Sequence, residues 1–140
     1  MSLSIRNQIP GTVTAVTPGE VMATVKVRLT GGQEVTAAIT RASAEQLGLT
    51  AGSAVRTLIK ATEVSLATGA VDGLSIRNRI PGTVTEVAVG GAMAGVKVSV
   101  DGDGELTAVV TRDAVGDLGL APGSAVTALI KSTEISLAAA

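Results

Sequence analysis

The residues with the clearest chemical potential are donors of hydrogen bonds to anions, and they occur twice. Ser4-Ile5-Arg6-Asn7 and Lys60 lie in the first half of the chain, and Ser75-Ile76-Arg77-Asn78 and Lys131 in the second. A guanidinium fork, an ammonium and hydroxyl groups can converge on the four oxygens of a tetrahedral oxyanion through charge-assisted hydrogen bonds. Thr40 and Ser43 add hydroxyls at a predicted helix start, and Thr111 repeats the first of them while Ala114 replaces the second. Helix starts favour anions through their free N–H groups. Each residue also has an ordinary reading: Thr40 and Thr111 as helix caps, Lys60 and Lys131 as solvated strand ends. The turns Pro18-Gly19-Glu20-Val21 and Gly90-Gly91-Ala92 could offer further backbone N–H groups at a symmetry axis, although turn chemistry alone accounts for their glycines.

What the chain lacks narrows the chemistry. It has no Cys and no His, which removes thiolate metal sites, zinc fingers, Cys or Ser/His nucleophiles and disulfides. Glu63 and Glu134 recur at equivalent positions but have no His, Cys or Tyr beside them in any acid/base set, so the expectation is a binding protein and not an enzyme. Phe, Tyr and Trp are absent, so no ring is available to stack on a base. The net charge of −1 includes no run of either sign, and nucleic acid and anionic membranes are not expected partners. Residues 1–69 carry +2 and residues 70–140 carry −3, with Asp101, Asp103, Glu105, Asp113 and Asp117 all in the second half; drift of a solvated face accounts for this. No leader pattern and no apolar stretch of membrane length is found, which leads to an expectation of a cytoplasmic protein.

The donors recur because the chain is duplicated. Residues 4–66 align with 75–137 without a gap, and 37 of the 63 positions are identical. The join runs through Ala67-Thr68-Gly69-Ala70-Val71-Asp72-Gly73, and the boundary is placed near Gly69, giving domains 1–69 and 70–140. Modules of about 70 residues bury a small fraction of their surface, and a core without aromatic rings buries less still, so association between subunits is the expected support.

The elements that must hold the donors can be read from periodicity. Val21, Ala23, Val25, Val27 and Leu29 alternate with Met22, Thr24, Lys26 and Arg28, as in a strand with one buried face. A strand over Ile9 to Val16 precedes it, and Gly31-Gly32 turns it into a third over Val35 to Ile39. A short helix over Arg41 to Leu47 is capped by Thr40 and stopped by Gly48. Strands near Ala54 to Lys60 and Thr62 to Ala67 then complete the copy. Three strands, a helix and two strands predict an all-β protein of two tandem OB-like five-stranded Greek-key barrels, with a small SH3-like barrel as the competing fold.

At these residues the chain resembles the Mop or TOBE molybdate-binding domains. The resemblance rests on Ser4-Ile5-Arg6-Asn7 with Ile9-Pro10-Gly11-Thr12-Val13, on Glu34-Val35-Thr36-Ala37, on Thr40-Arg41 followed by Leu47-Gly48-Leu49, on Leu58 to Ala67, and on the equivalent segments of the second copy. It implies molybdate, or tungstate, as bound ligand with no organic cofactor, held at interfaces between modules. Ser4, Ile5, Arg6 and Asn7 would meet Thr40, Ser43, Lys60 and Ala61 of a partner module, and the second copy would offer Ser75, Ile76, Arg77, Asn78, Thr111, Lys131 and Ser132. Gly19, Glu20, Val21, Gly90, Gly91 and Ala92 would border sites on a threefold axis.

Family sites often carry a hydroxyl after the Lys as well as one three residues after the helix-start Thr. Copy one has Ser43 with Ala61, and copy two has Ala114 with Ser132, which implies two unequal pockets. The resemblance also implies a homotrimer and a role in intracellular molybdate storage. The alternative is an anion-sensing regulatory module acting through a partner; such pairs usually sit behind a DNA-binding or ATPase domain, and neither a helix-turn-helix pattern nor a phosphate-binding loop occurs in this sequence.

Overall fold

The computed structural model describes residues 1–102 and 104–140; Asp103, one of the acidic residues noted above, lies outside the described residues. The first copy forms β1 (Asn7–Pro18), β2 (Met22–Leu29), β3 (Glu34–Thr40), α1 (Arg41–Gln46), β4 (Ala54–Ile59) and β5 (Ser65–Ala67). The second repeats the order with β6 (Asn78–Val89), β7 (Met93–Val100), β8 (Glu105–Thr111), α2 (Arg112–Leu118), β9 (Ala125–Ile130) and β10 (Ile135–Ala139). The expected strands and helix are present, and they form two five-stranded antiparallel sheets that curl towards closure.

The curl begins in β1 and β6. Each is long enough to pair with two neighbours in succession, Asn7 to Thr12 with β4 and Gly11 to Pro18 with β2. A register shift between Val13 and Ala15 bends the strand there, and its counterpart lies between Val84 and Glu86. Gly11 permits the close crossing: a Cβ on it would lie 2.6 Å from Val27 Cγ1 and 2.9 Å from the Arg28 carbonyl oxygen. On β2 the alternation is as read, with Ala23, Val25, Val27 and Leu29 buried, but Val21 precedes the strand in the hairpin turn and is 74% exposed.

The last strand of each copy departs from expectation. The order of the first sheet is β10-β4-β1-β2-β3 and that of the second is β5-β9-β6-β7-β8, so each copy gives its final strand to the other. The registers match: Ser136 pairs with Leu58, and Ser65 with Leu129 at the equivalent position. Val64-Ser65-Leu66-Ala67 and Ile135-Ser136-Leu137-Ala138 are near copies, so either pairing fills the same core positions, and side-chain pattern cannot choose between them. The chain leaves each sheet through a single 3-10 turn, Ala61–Glu63 in copy one and Ser132–Glu134 in copy two, where a continuous strand from Thr62 was expected. The exchange is an intramolecular form of domain swapping.

The core is correspondingly shared. One aliphatic cluster joins Val13, Val25, Val27, Val35 and Ile59 of copy one to Ile80, Leu106, Ile130 and Ile135 of copy two. A smaller cluster of Val84, Val96, Val98, Leu120 and Val126 fills the rest of the second barrel. Truncation before Ile135 would therefore damage the first barrel although it removes only the end of the second copy. The expected loss is roughly 3–5 kcal/mol, from burying Ile135 and Leu137 no longer. Amide exchange should accelerate first along Val55 to Ile59; faster exchange along β9 with β4 unaffected would contradict the exchanged topology.

Thr57, on β4 between β1 and β10, is fully buried, and its Oγ1 has no hydrogen-bond partner. The equivalent residue is Ala128. An unsatisfied buried hydroxyl costs about 1–3 kcal/mol. Thr57→Val keeps the shape and removes the hydroxyl, and should stabilise the protein by about 1 kcal/mol, read as a higher urea midpoint with an unchanged slope.

Candidate functional site

Residues 1–6 form no regular strand and lead directly into Asn7, the first residue of β1, whose backbone pairs with Ile59 and whose side chain is buried against the other copy. Its side chain is 4% exposed, and its amide nitrogen donates to the Ile59 carbonyl at 3.1 Å and to the Thr107 carbonyl at 2.9 Å. Its Oδ1 accepts from the Thr107 N–H at 2.8 Å. Asn78 repeats the pattern with the Ile130 carbonyl at 3.0 Å, the Thr36 carbonyl at 2.9 Å and the Thr36 N–H at 2.8 Å. Both side-chain amides are thus committed to backbone groups.

These contacts cross from one copy to the other. Thr107 is on β8 and Thr36 on β3, each an edge strand of its sheet. The Asn amide therefore acts as a one-residue strand partner, satisfying an edge N–H and C=O together. The 3-10 turn of one copy packs against the same edge strand of the other, Ala61–Glu63 on β8 and Ser132–Glu134 on β3. Glu63 and Glu134 lie in these turns, with backbone N–H groups that donate to the Lys60 and Lys131 carbonyls at 2.9 and 3.0 Å.

One surface depression collects most of the first donor set: Ser4, Ile5 and Arg6 with Lys60, Ala61 and Thr62, closed on one side by Val109 of copy two. Lys60 and Ala61 thus come from the same copy as Arg6, and the other wall comes from the neighbouring copy. Val109 is two residues beyond Thr107 on β8, so strand alternation directs its N–H to the side where Asn7 bonds. That N–H is a candidate donor the sequence reading missed, because a backbone group leaves no side-chain signature; the equivalent residue of β3 is Ala38. Arg6, Lys60, Arg77 and Lys131 are exposed and form no ion pair among the described residues.

Thr40 and Ser43 lie elsewhere in the chain. Thr40 caps α1, accepting from the Ser43 N–H at 3.1 Å and donating to Ser43 Oγ at 2.8 Å. Ser43 borders a separate hollow with Ile39, Gln46, Leu47 and, from β10, Ser136 and Leu137. Within one chain this hydroxyl pair does not share the Arg6 and Lys60 depression. Thr111 caps α2 by accepting from the Ala114 N–H at 3.1 Å, with no serine hydroxyl beside it.

The two loops are held differently. Arg79 binds the connecting segment through three carbonyls, those of Val71 at 2.9 Å, Leu74 at 2.7 Å and Ile76 at 3.1 Å, and so fixes the approach to Ser75-Ile76-Arg77. Its counterpart Gln8 reaches only the Ile5 carbonyl, at 3.0 Å, and accepts from Arg56 at 3.3 Å. Ala61 is buried, whereas Ser132 is half-buried with its hydroxyl 3.5 Å from Asn78 Nδ2.

The hairpin turns proposed for a symmetry axis are exposed and regular. Gly19 and Gly90 donate to the carbonyls of Met22 and Met93 at 2.7 and 2.8 Å, and the Val21 and Ala92 carbonyls accept from the first residues of the helices. Arg41 also ties α1 to the first turn through the Gly19 carbonyl at 3.2 Å. Glu20 and Gly91 stand exposed at the two tips.

Comparison with known proteins agrees with this architecture. The TOBE domain profile matches residues 3–66 and 74–137. A crystal structure of the cytoplasmic molybdate-binding protein ModG with molybdate bound superposes with a TM-score of 0.97, at 39% identity over the whole of both chains. The molybdenum-pterin-binding protein MopA of Rhodobacter capsulatus is 41% identical over 99% of this chain and 52% of its own length. The molybdenum transport protein ModE of Azotobacter vinelandii is 39% identical over 99% of this chain and 51% of its own. The chain thus spans about half the length of these two relatives. With both repeats matched and the fold reproduced end to end, the chain belongs to the TOBE domain family.

Proposed function

We propose that this protein reversibly binds molybdate, and tungstate of similar shape and charge, for intracellular storage and homeostasis of the oxyanion. The observation that carries this reading is the depression where Ser4, Arg6 and Lys60 meet the edge strand of the other copy, with neither cation engaged by a carboxylate among the described residues. Two cationic side chains, a hydroxyl and strand N–H groups match a tetrahedral dianion. The likeness to a molybdate-bound ModG structure supports the choice of ligand. Binding needs no catalytic step, and the repeats 1–69 and 70–140 are each the source of one donor set.

The working form is a homotrimer in the cytoplasm. Met22 and Leu47 in the first copy, and Met93 and Leu118 in the second, are exposed at equivalent positions, as faces covered by other subunits would be. Such contacts would bring the Thr40 and Ser43 hydroxyls, and Thr111, to the donor sets of other chains, and would group the turns at Gly19-Glu20-Val21 and Gly90-Gly91-Ala92 around the axis. Ala61 against Ser132 makes the two pocket classes unequal in affinity.

Calorimetric titration with molybdate, tungstate, sulfate and phosphate, with native mass spectrometry for subunit count, tests this. Molybdate and tungstate should bind in at least two classes, and sulfate more weakly. Arg6→Ala and Arg77→Ala should each remove a different class. Molybdate heat no greater than that of sulfate, or full stoichiometry in both variants, would refute the reading.

A further inference from the structure

Asn7 and Asn78 occupy a position whose consequences extend beyond the fold. Each amide touches all three segments that supply a donor set. Asn7 directly follows Arg6; it holds the carbonyl of Ile59, the residue before Lys60; and it holds both backbone groups of Thr107, two residues before Val109. Asn78 does the same for Arg77, for Lys131 through Ile130, and for Ala38 through Thr36. Arg6 has no strand pairing of its own, and Lys60 begins a 3-10 turn without a side-chain cap. The β1–β4 and β6–β9 ladders already join each Arg segment to its Lys turn through the Asn7–Ile59 and Asn78–Ile130 pairs, and what the amides add is the hydrogen-bonded link from both to the edge strand of the other copy.

We infer that Asn7 and Asn78 are positioning residues for the oxyanion pockets, each holding one Arg loop, one Lys turn and one edge strand of the other copy in the geometry that binds the anion. The inference rests on the binding reading above. Its physical basis is preorganisation: donors fixed before the ligand arrives do not lose freedom on binding. Replacing residues that orient the ligands of a bound metal typically costs roughly ten- to a hundredfold in affinity, and the same scale is taken for these donors. The side chain must have a donor and an acceptor separated as in a peptide group, since it substitutes for a missing strand. Ala provides neither, and Ser only one short hydroxyl.

The test uses the full chain in its native assembly, titrated with sodium molybdate at a temperature where all variants are folded. Asn7→Ala should weaken the Arg6 and Lys60 class by roughly ten- to a hundredfold while the Arg77 and Lys131 class changes less than about twofold, and Asn78→Ala should give the reverse. The Thr107 amide should exchange faster in the first variant and the Thr36 amide in the second. A purely structural role would instead lower the melting temperature and leave both affinities intact in the folded protein, or weaken both classes equally; either result overturns the inference. Asn7→Ser serves if the alanine variant does not fold. If no variant folds, wild-type exchange decides: saturating molybdate should slow the Thr107 and Thr36 amides, by the reciprocity of linked equilibria, and unchanged rates overturn the assignment. Absence of molybdate heat from the wild type would refute the binding reading itself, a distinct outcome.

Discussion

Each repeat places its last strand in the sheet of the other, and the rest of the molecule depends on that exchange. Because β10 completes the first sheet and β5 the second, neither copy can close its core alone, and the cluster around Val13, Ile59, Ile80 and Ile135 is continuous across the repeats. The exchange sets the two copies side by side with the edge of β8 next to the start of β1, and the edge of β3 next to the start of β6. Exposed edges invite further strand pairing. Here a buried asparagine amide occupies each edge at one point, and a 3-10 turn covers it at another. Covering the edge and arranging the cationic loops are thus a single structural solution.

Duplication makes the two halves comparable residue by residue, and their differences are informative. The two Asn amides make the same three backbone contacts, with every distance between 2.8 and 3.1 Å. The supports around them have diverged. Arg79 replaces Gln8 and exchanges one carbonyl contact for three, which suits a loop that must also carry the connection from the first copy. Ala61 became buried where Ser132 keeps a hydroxyl towards Asn78. The geometry that joins the copies is the same in both while the residues beside each donor set differ, as expected if the two sets are tuned separately on one frame.

The sequence made some of this legible and concealed the rest for physical reasons. The alternation in Ala23 to Leu29 identified a half-buried strand because its side chains experience water and core in turn. Thr40 identified a helix start because a hydroxyl there satisfies the Ser43 N–H. The exchanged strands could not be read: Val64 to Ala67 and Ile135 to Ala138 fit either barrel, and the turn of three residues that leads into each has no distinctive composition. Asn7 was legible as a polar residue beside an arginine but not as a strand substitute, since the strand residue it pairs with, Thr107, is a hundred residues away in sequence and is met through backbone atoms. Val109 was invisible for a related reason: its contribution is an N–H that any residue but proline would supply.

That last point bears on how a site of this kind can discriminate among anions. Sulfate and molybdate present the same charge and the same tetrahedral arrangement, so an arginine and a lysine on flexible stems can adapt to either. Strand N–H groups cannot adapt in this way, because β8 and β3 are fixed by their pairing with β7 and β2 and by the Asn amides. In the proposed binding reading, the distance between the rigid edge and the loop bearing Arg6 or Arg77 would therefore be the quantity that measures ligand size. On that reading long cationic side chains would provide charge, whereas selectivity by radius would come from the parts of the pocket that do not move, and in this fold those parts are backbone groups held in place from the other repeat.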